Sequence, residues 1–175
     1  MKKHALTDLA KDVARRSVLI CRDKEGFLPL KQEESVLVIE QKLFQFNDMY
    51  WHSGMLYENC LQYSKKVDYL ETAYRWDEED LERIRTVIDQ YDKVVITNYY
   101  TRDQLCNIEE LKEILKEHKN IVVVTNTPYE ELSIPDNAES VVITFSSNPN
   151  NAKVTAGVLF GEVTPEGVWP VSYHA

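Results

Sequence analysis

Three short stretches carry the side chains best suited to holding a polar, uncharged ligand: Asn98-Tyr99-Tyr100, Asn126-Thr127-Pro128-Tyr129 and Ser146-Ser147-Asn148. Tyrosine rings stack on pyranose faces, while amides and hydroxyls hydrogen-bond to sugar hydroxyls. Asn98, Tyr99, Tyr100, Asn126, Tyr129 and Ser146 therefore form a candidate sugar-binding set. The same residue types also build turns, and on sequence alone that role carries the greater weight. For acid–base chemistry the candidates are Asp103, Glu40 and Glu130 with a tyrosine, although solvation or helix capping accounts better for each of them. The four histidines, His4, His52, His118 and His174, occupy unrelated places and define no catalytic residue. His118 falls in the last turn of a predicted helix, where the helix dipole favours a cation. His52 sits among Tyr50, Trp51 and Tyr57, an aromatic patch better explained as part of a helix covering the surface.

The chemistry that is missing narrows the choice further. The chain holds only five glycines, and none follows the first strong strand, where Gln41-Lys42-Leu43-Phe44 stands. A dinucleotide site needs glycine there so that pyrophosphate can approach the backbone, and a P-loop fails for the same reason. A phosphoacceptor receiver needs clustered carboxylates at strand ends, and a hydrolase elbow needs GxSxG; neither is present. Cys21, Cys60 and Cys106 lack a CxxC spacing, which makes small buried hydrophobes a better reading than a metal site or a disulfide framework. No cofactor and no metal are expected. A formal net charge of −9 repels nucleic acid. No apolar run reaches membrane-spanning length and the N-terminus is too polar for a secretory signal, so the chain as written reads as cytoplasmic.

The positions of these residues depend on a βαβ unit at the centre of the chain. Val94-Val95-Ile96-Thr97 and Ile121-Val122-Val123-Val124-Thr125 are continuous β-branched runs that fit strands covered on both faces. Between them Leu105, Ile108, Leu111 and Leu115 form one helical stripe, with Asn107 and Glu110 spaced as a capping pair. Upstream, residues 4–17 read as an amphipathic helix with Leu6, Leu9, Val13 and Ala14 on one stripe. SVLIC at 17–21 reads as a short strand or the helix end. Residues 47–64 read as an aromatic-rich helix weakened at Gly54. Asp77 or Asp80 caps a helix carrying Leu81, Ile84 and Ile88, and Asn150 or Asn151 opens a last helix that Gly161 ends. Core strands are expected at 36–40, 67–70, 94–97, 121–125 and 141–145. The alternation of strand and helix, without a linker or repeat, predicts a single α/β domain over 1–175. It would be a three-layer α/β/α sandwich on a mostly parallel five- or six-stranded sheet of flavodoxin-like order 2-1-3-4-5.

Four segments together resemble the C-terminal domain of family 3 glycoside hydrolases, especially the β-N-acetylglucosaminidase branch, with the β-glucosidases close by. They are HALTDLAKDVARRSVLICRDKEGFLPL at 4–30, SVLVIE at 35–40, VVVTNTPYEEL at 122–132 and VLFGEVTPEGVWPVSY at 158–173. The last is similar to that family's VLFGE-x-x-P-x-G-x-L-P-V ending, with Trp169 where leucine is usual.

The resemblance implies a (β/α)₈ barrel that supplies the nucleophilic aspartate, and a barrel needs about 250 residues, more than this chain has. In the N-acetylglucosaminidase branch the acid/base is a His-Asp pair on a barrel loop. In the β-glucosidase branch a glutamate comes from this domain, but VVITNYYTRDQL stands in its place and lacks it. No catalytic residue carries over. The resemblance thus implies a non-catalytic domain that partners a (β/α)₈ barrel in cis or in trans, inactive alone and presenting an apolar face to that barrel. The alternatives are a stand-alone carbohydrate-binding or regulatory module, or an enzyme using the carboxylates above.

Overall fold

The computed structural model describes residues 3–43, 53–101 and 106–169. Expectations for the aromatic stretch around His52, for Leu105, for Asp103 and for the end of the chain with His174 lie outside those residues.

The sheet has six strands: β1 (Leu19–Asp23), β2 (Val36–Gln41), β3 (Val67–Thr72), β4 (Lys93–Thr97), β5 (Ile121–Thr125) and β6 (Ser140–Ile143). Their order is β1-β6-β5-β4-β2-β3. Leaving out β1, this is the expected 2-1-3-4-5 order of the five core strands, all parallel. β1 adds an antiparallel edge beside β6, with a bulge between Ile20 and Arg22. The stretch at 17–21 is therefore both things the sequence left open, a helix end at Ser17 and a strand from Leu19.

Helices cover both faces, which is why the strands show no polar alternation. Val36, Val38, Val95, Val122, Val124 and Val142 point to one side, where Leu56 and Cys60 of α2 (Met55–Cys60) and Ala156, Val158 and Leu159 of α6 (Pro149–Leu159) meet them. Leu37, Ile39, Ile96, Val123 and Ile143 point to the other, against Ile84 and Ile88 of α3 (Glu78–Ile88) and Leu111, Ile114 and Leu115 of α4 (Ile108–Glu117). The order and both covered faces make this the expected α/β/α sandwich.

Local details refine several sequence expectations. Asp77, rather than Asp80, caps α3 by accepting from the Asp80 amide, while the buried Asp80 carboxylate turns back to the Ala73 amide. The last helix opens two or three residues earlier than expected: Asn148 is its cap and Pro149 its first residue, since proline needs no hydrogen-bond acceptor there. Asn151 is instead drawn inward to the Thr144 carbonyl and the Ser17 hydroxyl. Asn107 and Glu110 form no capping pair, because the buried Asn107 side chain bonds to Tyr74 and Trp76 in the loop between β3 and α3 while Glu110 pairs with Arg75. Gly54 stands at φ +84° immediately before α2, where a left-handed residue is required, so it starts that helix rather than weakening one. His118 caps the end of α4, with Nδ1 2.8 Å from the Asp89 carboxylate beyond α3. The helix α1 (Lys3–Ser17) buries Ala14 but leaves Leu9 55% and Val13 51% exposed.

Two glycines of the 158–173 segment have steric roles. Gly161 lies at φ +74° and ends α6, with Pro29 filling the space a side chain would need. Gly167 donates to the Val18 carbonyl at 3.0 Å, and a Cβ there would sit 2.5 Å from the Ser17 oxygen and 2.6 Å from the Val18 oxygen. Those oxygens are backbone, so they cannot move aside. Gly167→Ala is expected to lower stability by about 1–3 kcal/mol. A fall in thermal midpoint of several degrees checks this, and an unchanged midpoint would refute it.

Candidate functional site

The carboxyl ends of the parallel strands are bound together by side-chain amides. Gln41, at the end of β2, accepts from the Tyr99 amide through Oε1 at 2.5 Å and donates from Nε2 to the Tyr74 carbonyl at 2.9 Å. Asn107 donates to the same carbonyl at 2.8 Å and accepts from the Trp76 amide at 2.9 Å. Its backbone amide donates to Asn98 Oδ1 at 3.0 Å, and Asn98 Nδ2 donates to the Ser133 carbonyl at 3.0 Å. The Tyr74 hydroxyl donates to the Tyr99 carbonyl at 2.6 Å. These links hold the loops after β2, β3, β4 and β5 in one arrangement, and each buried polar atom among them finds a partner.

This network divides the six candidate residues. Asn98 and Tyr99 are buried, with the Asn98 amide used internally and the Tyr99 ring packed in the core. Tyr100 and Asn126 are half-buried and pair twice: the Tyr100 amide donates to Asn126 Oδ1 at 2.8 Å, and Asn126 Nδ2 donates to the Tyr100 carbonyl at 3.0 Å. Ser146, on the next strand end, accepts at its hydroxyl from Asn148 and at its carbonyl from Thr144. Tyr129 differs from the other five, being 48% exposed at the start of α5 (Glu130–Ser133).

The described carboxylate candidates stand apart. Glu130 is exposed and paired with Arg22 at 3.0 Å. Glu40 is buried at the end of β2, with Oε1 2.7 Å from the Tyr57 amide at the start of α2. Burial pushes its carboxyl up to about 7, the amides of Tyr57, Leu56 and Gly54 pull it back, and nearby Glu58 adds to the rise. Burial likewise raises the Cys106 thiol to about 11, so Cys106, like the buried Cys60, acts as a small hydrophobe. Among the described residues no group of three or more His, Cys, Asp and Glu side chains is arranged to hold a metal, and no helix is long and apolar enough to cross a membrane.

Sequence reasoning missed Gln41, Tyr74 and Asn107 as the links of this network. Gln41 closes an otherwise largely apolar strand, which was the signal available for it, whereas Tyr74 and Asn107 lie in loops and carried none.

No protein-family model and no curated protein matches the chain. Solved structures do. A glycoside hydrolase family 3 β-N-acetylglucosaminidase from Paenibacillus sp. str. FPU-7 matches 96% of this chain with a TM-score of 0.78 at 15% identity, and the match takes up 32% of that protein. A β-glucosidase from Listeria innocua matches 94% with a TM-score of 0.75 at 15% identity, over 26% of its own length. A family 3 β-glucosidase from Bifidobacterium adolescentis matches 93% with a TM-score of 0.65 at 18% identity, over 28% of its own length. At these identities the likeness is one of fold: nearly the whole chain has the architecture of a minor part of family 3 glycoside hydrolases.

Proposed function

We propose that this chain is the non-catalytic, C-terminal-type domain of a family 3 glycosidase, packing on a catalytic (β/α)₈ barrel in cis or in trans. The observation that carries this reading is the partition of the fold match: 96% of this chain against 32% of a β-N-acetylglucosaminidase. Residue chemistry supports it. Retaining hydrolysis needs two groups flanking one bond about 5 Å apart, whereas Glu130 is committed to Arg22 and Glu40 is buried against α2. The exposed apolar side chains Leu9 and Val13 suit a surface that a neighbouring domain covers.

The test is hydrolysis of a chromogenic β-N-acetylglucosaminide. The isolated chain is expected to be inactive, and mixing it with a matched barrel domain to raise the barrel's rate at least about tenfold, a transition-state gain of roughly 1.4 kcal/mol. Hydrolysis by the chain alone refutes the reading. So does a barrel whose rate and thermal midpoint are both unmoved by the addition.

A further inference from the structure

Two shallow grooves on the β1 edge of the sheet meet at Glu130. One, of about 350 Å³, is lined by Tyr129, Glu130, Glu131 and Leu132. The other, of about 370 Å³, is lined by Leu19 to Arg22, Glu130, Gly167 and Trp169. Each groove has one aromatic lining residue, Tyr129 in the first and Trp169 in the second, and Glu130, ion-paired with Arg22, lines both. Tyr129 is 48% exposed. Trp169 is half-buried and packed against the core, and the close approach of Gly167 to Ser17 and Val18 pins the segment that carries it. Arg22 is held from behind by the carbonyls of Pro135, Asp136 and Ala138. Trp169 and the Arg22 fork are thus held before any ligand arrives, which lowers the entropy cost of binding.

We propose that these two grooves, adjoining at Glu130, together bind a neutral oligosaccharide, with Tyr129 and Trp169 as stacking platforms and the Arg22–Glu130 pair hydrogen-bonding to sugar hydroxyls. The chemistry selects the ligand class. Arg22 offsets Glu130 and the exposed Glu131 carboxylate disfavours an anion, while the carboxylate accepts from sugar hydroxyls and the guanidinium donates to them. Aromatic walls with a few oriented polar groups are what a small polar ligand requires. The inference deepens the glycosidase reading, on which the choice of test sugar rests. It also moves recognition away from Asn98, Tyr99 and Asn126, whose polar groups serve the fold.

The experiment is a ¹H–¹⁵N NMR titration of the whole chain with N-acetylchitotriose and, separately, cellotriose. Amide shifts are expected at 19–22, 129–132 and 167–169, with a Kd on the order of 0.1–10 mM for at least one sugar. Tyr129→Ala, an exposed and therefore foldable change, is expected to weaken binding about tenfold, with Tyr129→Phe retaining most of it. Shifts confined to other strand ends, or none up to about 20 mM of either sugar, overturn the proposal. If no sugar binds and Tyr129→Ala abolishes stimulation of a barrel, the groove is a protein contact and the proposal falls while the domain reading stands. Sugar bound in the groove of a chain that stimulates no barrel has the opposite meaning.

Discussion

Asn107→Ala is expected to lower the free energy of unfolding by about 2–4 kcal/mol, far more than a neutral surface change. Asn107 is wholly buried and serves three neighbours: its side chain bonds the Trp76 amide and the Tyr74 carbonyl, and its backbone amide bonds Asn98. Alanine keeps the backbone bond but leaves the Trp76 N–H without its acceptor. The Tyr74 carbonyl suffers less, since Gln41 still donates to it. Most of the loss is therefore one orphaned buried donor together with the void left by the amide. Asn107→Asp separates the two bonds. It keeps an acceptor for Trp76 but turns a carboxylate oxygen toward the Tyr74 carbonyl, so its loss should be smaller in acid than at neutral pH. Urea unfolding followed by tryptophan fluorescence measures both variants. A loss below about 0.5 kcal/mol for the alanine variant would show that water replaces the amide and that the network does not hold the loops.

The second large effect is on pH dependence. With the folded-state carboxyl of Glu40 raised from an ordinary 4.5 to about 7, the folded protein holds a proton between those values that the unfolded chain releases. The contribution of Glu40 to stability is fully present below pH 4.5, and it is lost as pH rises through 7, because the native state then has to carry a buried charge. Over that window the loss amounts to about 3 kcal/mol at 1.36 kcal/mol per pH unit. Glu40→Gln carries no titrating proton, yet its amide oxygen can still accept from Tyr57. The stability of wild type minus Glu40→Gln is therefore expected to fall by about 3 kcal/mol between pH 4.5 and 8. Denaturant midpoints at four or five pH values give this difference directly. A difference that stays flat, or rises with pH, would mean that the amides at the start of α2 outweigh burial and hold Glu40 ionised.

Both residues show where sequence reading stops. Asn107 had the spacing of a helix cap and Glu40 that of a lone acid after a strand, and local patterns of that kind involve a few neighbouring residues. Each owes its observed role to partners far along the chain: Trp76 and Tyr74 for Asn107, Tyr57 for Glu40. The same holds for Leu9 and Val13. A 3.6-residue period reports that a helix has an apolar side, but it carries no information about whether this domain covers that side. Gly167 was visible as part of a recurring segment, whereas the reason for it, two carbonyl oxygens at the end of α1, is a tertiary contact.

What the sequence determined by itself was the architecture. Continuous β-branched runs alternating with amphipathic helices leave few ways to bury both strand faces, and a parallel sheet between two helical layers is the one adopted. The 2-1-3-4-5 order of the five core strands was expected only as the simplest doubly wound arrangement, and it is the order in which they pair. Tertiary structure alone decided which polar side chains remain available to a ligand. Asn98, Tyr99, Tyr100, Asn126 and Tyr129 all follow strand ends, yet folding buries the first two, pairs the next two and exposes Tyr129 in a groove with Glu130. The physical reason is that buried backbone groups at strand ends must find hydrogen-bond partners, and the nearest amides are consumed in supplying them.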